Sequence, residues 1–199
     1  AIGGKSSMPQ RHRFVPVAVH HKAIPKQPTV AAGRVPERSA ATLVATNHGT
    51  LVLFGGETAE EMPLQANARS TRRLGDVWTL DIPEGGWTAG LCPLAQWEEW
   101  ECGAAAGEAV PTPRSNHAAA ICGDYMLVFG GWSGSNLKPL AQPELLHLRT
   151  RCWTHCSTNN EAPPPRGNLA LVCSQWRRQA IMHGGWDNCK RLNDLWCLD

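Results

Sequence analysis

Cysteine and histidine are the residue types in this chain whose spacing could bind a metal ion. Cys152, His155 and Cys156 lie within five residues of one another, and thiolate and imidazole are ligands that zinc prefers. A structural zinc site takes two such pairs, and no second pair follows at a suitable spacing. Alternate residues of a strand point to opposite faces, so Cys152 and Cys156 would share a side that His155 does not. We therefore expect an outer strand here, and neither a metal nor another cofactor.

Further histidines and cysteines do not complete a catalytic set. His20 and His21 lie in a proline-rich stretch without an acidic partner nearby. Cys189 follows a predicted turn, without a positioned base or cation to activate it. The chain has neither a glycine-rich phosphate loop followed by a helix nor a G-x-S-x-G nucleophile elbow. The sequence predicts no catalytic residue.

Arginine recurs close to proline at the start of three similar segments. Arg38, Arg114 and Arg166 each precede a run of small, strand-forming residues, and a glycine pair begins 16 to 18 residues later. This distance fits two strands of about five or six residues joined by a hairpin turn. Two interpretations of the arginines remain open. They either donate to carbonyl groups and neighbouring units, or line a central opening and receive a carboxylate.

The glycine pairs end short apolar strands. Tyr125–Phe129 leads directly into Gly130 and Gly131, and the run is too short and too apolar for a surface helix. Glycine at a strand end permits the positive φ and the close backbone approach that other residues resist. The same order of residues recurs at 51–56 and 180–185, with a shorter copy at 1–4.

Two more strands are predicted after each glycine pair. Third strands are expected at 76–81, 144–148 and 194–199, and tryptophan opens a fourth strand at Trp100 and Trp153. Residues 82–96 are then an insertion that accounts for most of the longer distance between the first two complete glycine pairs.

Units of about 50 residues with four short strands are typical of β-propeller blades. The order of arginine, small-residue strand, apolar strand ending in Gly-Gly, Asp-Val-Trp or Asp-Leu-Trp, and a further tryptophan resembles the kelch repeat. The resemblance covers 36–199, with Glu144 at a position where kelch repeats usually carry aspartate. It implies an all-β fold of kelch-type blades, each a four-stranded antiparallel sheet, of the galactose oxidase-like central-domain type. We expect blades at 36–110, 111–162 and 163–199, and a partial blade or proline-rich arm at 1–35.

About three and a half units are fewer than the four to eight blades of a closed propeller. We therefore expect a fragment of a larger propeller. The alternative is closure by the N-terminal segment, which could supply the strand missing after Asp199.

The composition bears on partners and compartment. A net charge of +2 and a charged fraction of 18% do not provide the concentrated basic face that nucleic acid requires. No apolar run approaches about 18 residues, so no membrane partner is expected. Eight cysteines without a secretory signal predict reduced thiols, no disulfides, and a cytoplasmic or nuclear protein.

These patterns predict a non-catalytic scaffold that binds a protein or peptide, with an acidic or extended peptide as the expected partner. In a propeller, the loops from second to third strands and those between blades meet at one end, whereas the turns at 47–49 and 123–124 lie at the other. The alternative is a metal-dependent lyase or oxidoreductase on the same fold. A copper radical oxidase of this type needs several tyrosines, and Tyr125 is the only one. The predicted partner-binding residues are Arg38, Arg114, Asn116, His117, Trp132, Ser133, Arg166, Asn168, Trp186 and Asp187.

Overall fold

The computed structural model describes residues 35–60, 70–83, 96–134, 136–157, 162–174 and 179–199. All regular elements in these ranges are β-strands, so the predicted all-β fold class is confirmed. The described ranges contain no helix of the length and apolarity that a membrane span requires. The N-terminal segment up to residue 34 and residues 84–95 of the predicted insertion lie outside them. The strands are β1 (Thr42–Ala45), β2 (Thr50–Phe54), β3 (Glu57–Glu60), β4 (Ser70–Arg73), β5 (Val77–Asp81), β6 (Glu98–Trp100), β7 (Gly103–Ala104), β8 (Ala118–Cys122), β9 (Tyr125–Phe129), β10 (Trp132–Ser133), β11 (Lys138–Pro139), β12 (Glu144–His147), β13 (Cys152–His155), β14 (Ala170–Ser174), β15 (Gln179–Trp186) and β16 (Arg191–Leu198).

Three of the sheets contain the repeated strands, and we call each of them a blade; the bounds at 36–110, 111–162 and 163–199 stay predictions. The first blade has the strand order β1-β2-β5-β6 and is antiparallel throughout. The second blade contains β8, β9, β12 and β13 in the same arrangement, and the described part of the third contains β14, β15 and β16. Each blade therefore begins with its innermost strand and proceeds outward along the chain, as the spacing of arginine and glycine predicts.

Two features of the sheets differ from the predicted plain four-stranded blades. The second blade has a fifth strand, because β7 pairs in parallel with β13 and so links the connection from the first blade to the outer edge of the second. In addition, β3 and β4 form a separate hairpin in the loop that follows Gly56. Part of the extra length in the first unit therefore lies in this hairpin, and not only in the insertion at 82–96.

The core lies between the first two blades, which pack face to face. Period-two alternation directs Val52, Phe54 and Val77 of the first blade towards the second, where they contact residues such as Met126 and Trp153. The rings of Phe54 and Trp153 have centroids 5.0 Å apart at a tilt of 50°. Burying these aromatic and branched side chains is the main favourable term in holding the blades together.

The glycine pairs also join neighbouring blades. The amide of Gly56 donates to the carbonyl oxygen of Arg114 at 2.9 Å, and Gly131 donates to Arg166 at 2.8 Å. Gly130 has a φ of 73°, and a Cβ atom there would lie 2.3 Å from the Arg166 oxygen. Both reasons given for glycine at the strand ends, positive φ and close approach, therefore hold in the structure.

A second set of backbone hydrogen bonds connects the beginnings of the innermost strands. Ala40, Asn116 and Asn168 each lie two residues after a repeated arginine and have φ values of 54°, 58° and 53°. The amide of Asn116 donates to the Ala40 carbonyl, and the amide of Asn168 donates to the Asn116 carbonyl, both at 2.9 Å. The left-handed backbone at this position directs one amide per blade to the preceding blade.

Candidate partner-binding site

The repeated arginines of the first and third blades bind aspartates of their own blades. Arg38 donates through Nη1 and Nη2 to the two carboxylate oxygens of Asp76, at 2.8 and 2.7 Å, and Arg166 forms the same bidentate pair with Asp194. Each also donates to a glycine carbonyl of its own blade. The hydrogen bond from Arg166 holds the pKa of Asp194 well below its usual range. Burial works against ionisation of Asp76, yet the bonds from Arg38 and Trp78 leave its pKa lowered as well.

In the second blade the repeated arginine pairs with a glutamate instead of an aspartate, and this glutamate also contacts a histidine. Glu144 accepts from Arg114 Nη2 at 3.3 Å, and its other oxygen contacts Nδ1 of His155, on the strand opposite. Nε2 of His155 lies 3.5 Å from a carboxylate oxygen of Glu108. Burial raises the pKa of Glu144, against the effect of Arg114 and the contact with His155, and burial lowers the pKa of Arg114. The longer glutamate thus connects the buried arginine to a half-exposed histidine.

The three arginines consequently do not form an open ring of cations. Arg114 and Arg166 are 1% and 0% exposed, and the Arg38 side chain is 6% exposed. Their guanidinium groups already pair with carboxylates, so as placed they do not receive a carboxylate from a partner. Of the two interpretations, the structure shows hydrogen bonds to carbonyl groups, and the acceptors among the described residues lie in the same blade as the arginine.

Two other predicted binding residues also pack between blades. His117 is buried against the Phe54 ring and its Nε2 lies 2.8 Å from Thr42 Oγ1. Burial, assisted by Arg114, lowers the pKa of His117 to about 3, so the ring is neutral at physiological pH. Trp132 is 7% exposed, covers Gly167 and donates from Nε1 to Asn188 at 2.8 Å.

A cleft of about 410 Å³ opens at the end of the blades that carries the loops between second and third strands. Three of the predicted residues, Asn116, Trp132 and Trp186, line it, so the structure brings these together. All three blades contribute to its walls, which is why no single repeat reveals it. We call this the loop cleft; its lining residues are Glu57, Thr71, Arg73, Asn116, Trp132, Leu137, Trp186 and Asn188.

Trp186 lines both the loop cleft and a second cavity of about 620 Å³. Asn168, which is exposed, lines this second cavity together with His183 and Arg191. The Arg191 guanidinium lies over the Trp186 ring, 5.7 Å from its centroid. Trp186 therefore presents an aromatic wall to two adjoining spaces, flanked by a cation.

The remaining two predicted residues are Ser133 and Asp187. Ser133 is half-buried in the short strand β10. Asp187 accepts hydrogen bonds from the amides of Cys189 and Lys190, at 2.8 and 2.7 Å, and so builds the turn after Trp186. These bonds lower the pKa of Asp187.

Sequence reasoning missed the contribution of the β3–β4 hairpin to the cleft. Arg73 donates from Nη1 to the Gly134 carbonyl at 2.8 Å and lies with Nη2 3.8 Å from Glu57 Oε2. Glu57 also accepts from Ser115 Oγ at 3.1 Å. The hairpin strands are short, polar and lack the alternation that marks the other strands, so only the pairing of Glu57 with Arg73 could have indicated them.

The opposite end was predicted to offer few anchors, and this expectation is incomplete. A cavity of about 530 Å³ lies there between the first and second blades, lined by His48, Asp124, Leu148 and Trp100 among others. The Arg151 guanidinium lies 4.6 Å from the centroid of the Trp100 ring. His48 is therefore part of a cavity and not a neutral surface position.

The cysteine and histidine cluster lies on β13 and directly after it. In the described ranges, no three or more histidine, cysteine, aspartate or glutamate side chains are grouped as metal ligands. His155 instead contacts Glu144 and Glu108. The seven cysteines in the described part of the chain are free thiols, whereas Cys92 lies outside it, as do His20 and His21.

Comparisons with known proteins agree with this architecture. The family model described as the KLHDC2/KLHL20/DRC7 Kelch-repeats domain matches residues 2–199. Acyl-CoA-binding domain-containing protein 5 of Arabidopsis thaliana is 32% identical over 142 residues, which are 70% of this chain and 17% of that protein. An F-box/kelch-repeat protein of Arabidopsis thaliana is 26% identical over 75% of this chain and 28% of its own length. Human leucine-zipper-like transcriptional regulator 1 is 30% identical over 64% of this chain and 14% of its own length. The chain thus spans less than a third of each of these relatives.

Proposed function

This chain belongs to the kelch-repeat family, and from that premise we propose that it is a non-catalytic scaffold that binds a protein or peptide partner through the loop cleft. Members of the family generally act as protein-interaction scaffolds. We propose no cofactor, no nucleic-acid partner and no membrane partner. We propose that the protein is cytoplasmic or nuclear.

The observation that carries the proposal is the composition of the loop cleft. Two tryptophans line the cleft together with the half-buried Asn116 and the exposed Asn188. Their amide groups bond to Ser115, Trp132 and Leu137, and beyond these bonds each has a second N–H and a further lone pair that can pair with a peptide backbone. Tryptophan is among the residue types most enriched at interface hot spots, particularly where a pocket excludes water. The volume of the loop cleft, about 410 Å³, is within the range of binding clefts, which begins at about 300 Å³.

An extended and acidic segment suits this surface. The loops of three blades surround the cleft without filling it, and an extended chain can cross such a surface while its side chains enter the spaces on either side of Trp186. Exposed cations on these loops, Lys138, Lys190 and Arg191, favour a negatively charged partner through electrostatic steering. The acidic preference predicted from sequence is thus retained, with different cations as its source.

Selection of short random peptides on the purified chain, followed by affinity measurement for Trp186→Ala, tests the proposal. We expect the loss of this contact to cost about 2 kcal/mol, roughly a thirtyfold decrease in affinity. Trp100→Ala is the matched control, because it removes a half-buried tryptophan beneath an arginine at the opposite end. Binding that survives Trp186→Ala but is lost in a folded Trp100→Ala variant would assign the partner to the other cavity.

A further inference from the structure

Arg73 has hydrogen-bonding capacity that the rest of the loop cleft does not satisfy. Its side chain is 10% exposed, and in the described part of the chain Nε has no hydrogen-bond partner. Nη1 donates to the Gly134 carbonyl, so this atom is occupied. Nε–H and the Nη2–H beside it form the pair of parallel donors that a carboxylate accepts bidentately. Among the residues that the structure describes, this donor pair of Arg73 makes no hydrogen bond of 3.5 Å or less.

Glu57 is a carboxylate beside these donors in the described part of the chain, yet it stands away from them. Its Oε2 lies 3.8 Å from Nη2, beyond hydrogen-bonding distance, while it accepts from Ser115 Oγ at 3.1 Å. The other arginines paired with acidic residues at the strand ends show the alternative: Arg38 and Arg166 bind their aspartates through two short bonds each. Arg73 therefore keeps a counter-charge nearby without being satisfied by it.

Its orientation is fixed from the neighbouring blade. Arg73 is at the end of β4, and the carbonyl that holds Nη1 belongs to Gly134 in the corresponding loop of the second blade. A donor pair held in this way loses little side-chain freedom when it binds an acceptor. Buried donors without partners are rare in folded proteins, and each such group requires an explanation.

We infer that Arg73 receives the side-chain carboxylate of an aspartate or glutamate in the bound peptide through Nη2 and Nε, and that Glu57 is the competing carboxylate in the free protein. Nε is covered in the free protein, so neighbouring side chains move aside when the carboxylate binds. The inference rests on the proposed function, because it names the group that enters the loop cleft. The hairpin β3–β4 is then the element that selects acidic peptides, while Trp132 and Trp186 accommodate the rest of the segment.

Three variants separate this role from a general contribution of charge. Arg73→Met removes the donors, and Arg72→Met removes an equal charge from an exposed neighbour on the same hairpin strand. Glu57→Gln removes the competing charge. Arg73→Lys retains a cation that can bond to Gly134 but lacks the bidentate pair, and it serves if the methionine variant does not fold.

The experiment uses a library of short random peptides, selected on the wild-type chain and then measured individually on each variant. Matched peptides with Asp or Glu exchanged for Asn or Gln report the preference for a carboxylate. We expect Arg73→Met and Arg73→Lys to weaken acidic peptides by roughly tenfold or more and to abolish that preference, since bonds to a charged group are lost. Arg72→Met should change binding less than about threefold, and Glu57→Gln should tighten it.

The outcomes distinguish the two levels of the hypothesis. If no peptide binds the wild-type chain, the proposed function itself fails. If peptides bind and Trp186→Ala weakens them, but acidic residues are not preferred, the cleft binds peptides and the role of Arg73 is wrong. The role is also overturned if Arg72→Met is as harmful as a folded Arg73 variant, or if Glu57→Gln weakens binding.

Discussion

At the scale of single residues, each of the three repeated arginines is paired with a carboxylate of its own blade. The side chains of Arg114 and Glu144 are 1% and 4% exposed, so neither charge is solvated by water. Their mutual attraction offsets the cost of removing both from solvent, and this compensation exists only while both are present. Substituting one partner therefore removes more stability than the pair itself contributes.

We predict that Arg114→Met destabilises the fold by about 3–5 kcal/mol, because it leaves Glu144 buried without its cation. Urea denaturation of the wild type and variant gives the difference in unfolding free energy. Glu98→Gln is the matched control: Glu98 pairs with Arg151 at 3.5 Å on the surface, and its loss should cost at most about 1 kcal/mol. Equal effects of the two substitutions would contradict the buried-pair account.

Asp194 provides a prediction of pH dependence. Its pKa in the folded state is lowered below the ordinary 3.8, first by the hydrogen bond from Arg166 and also by that from Trp196. A lowered pKa means that the bonds stabilise the fold above pH 3.8, and that this contribution is lost as the pH falls towards the folded-state value. Asp194→Asn should thus be less stable than wild type at about pH 7, with the difference narrowing below about pH 4. The urea denaturation midpoints of the wild type and the variant across this pH range test the prediction. A difference in stability that widens in acid would contradict it.

The positions of these residues could be predicted from sequence, but their exposure could not. Arginine at a constant distance before a glycine pair identified Arg38, Arg114 and Arg166 as a structural class. Their partners lie 28 to 38 residues further on, two strands away, and sequence spacing alone does not decide whether such a carboxylate faces the arginine or solvent. The same pattern therefore supported both a ring of open cations and a set of buried ion pairs.

At the scale of elements, the glycine pair both ends a strand and makes room for the next blade. Gly130 and Gly123 have similar φ values, 73° and 62°, but different surroundings. A Cβ at Gly130 would lie 2.3 Å from the Arg166 carbonyl oxygen, whereas one at Gly123 would meet no atom within 4 Å. A comparison of substitutions at the two positions therefore distinguishes the cost of backbone strain from the cost of close approach.

We predict that Gly123→Ala costs about 1–2 kcal/mol, the cost of a left-handed conformation with a Cβ. Gly130→Ala should cost about 1–3 kcal/mol more than Gly123→Ala, because the added methyl group forces the second and third blades apart. Thermal and urea unfolding of both variants measure the difference. If the two substitutions were equally harmful, the interblade contact at Gly130 would be unimportant.

The strands that sequence revealed are the ones that bury apolar residues. Strands such as β2 and β9 alternate or run apolar and end at glycine, so burial leaves a mark on their composition. The hairpin of β3 and β4 and the parallel strand β7 pair through the backbone with little apolar content, and backbone pairing leaves no such mark. The loop cleft was therefore only half predictable: Asn116, Trp132 and Trp186 were foreseen, and Glu57 and Arg73 were not.

At the scale of the whole molecule, the blades are joined by a few equivalent backbone bonds, and the first two also share an apolar core. Asn116 and Asn168 each donate to the blade before, while Gly56 and Gly131 donate to the blade after. Repeat proteins gain stability chiefly from such contacts between neighbours, so that separating two blades exposes most of what either buries. Breaking these bonds should require the blades to part, and not merely the local chain to fray.

Hydrogen exchange tests this coupling. We predict that the amides of Asn116, Asn168 and Gly131 exchange only through large-scale opening, at a free energy close to that of global unfolding and with a matching dependence on denaturant. The amide of Gly49 bonds within a surface hairpin at 3.4 Å and should exchange through local fraying with little denaturant dependence. Exchange of the interblade amides at the rate of Gly49 would mean that the blades fluctuate independently. In that case the loop cleft, which all three blades build, would be assembled by its partner, and peptide affinity would fall as the blades separate.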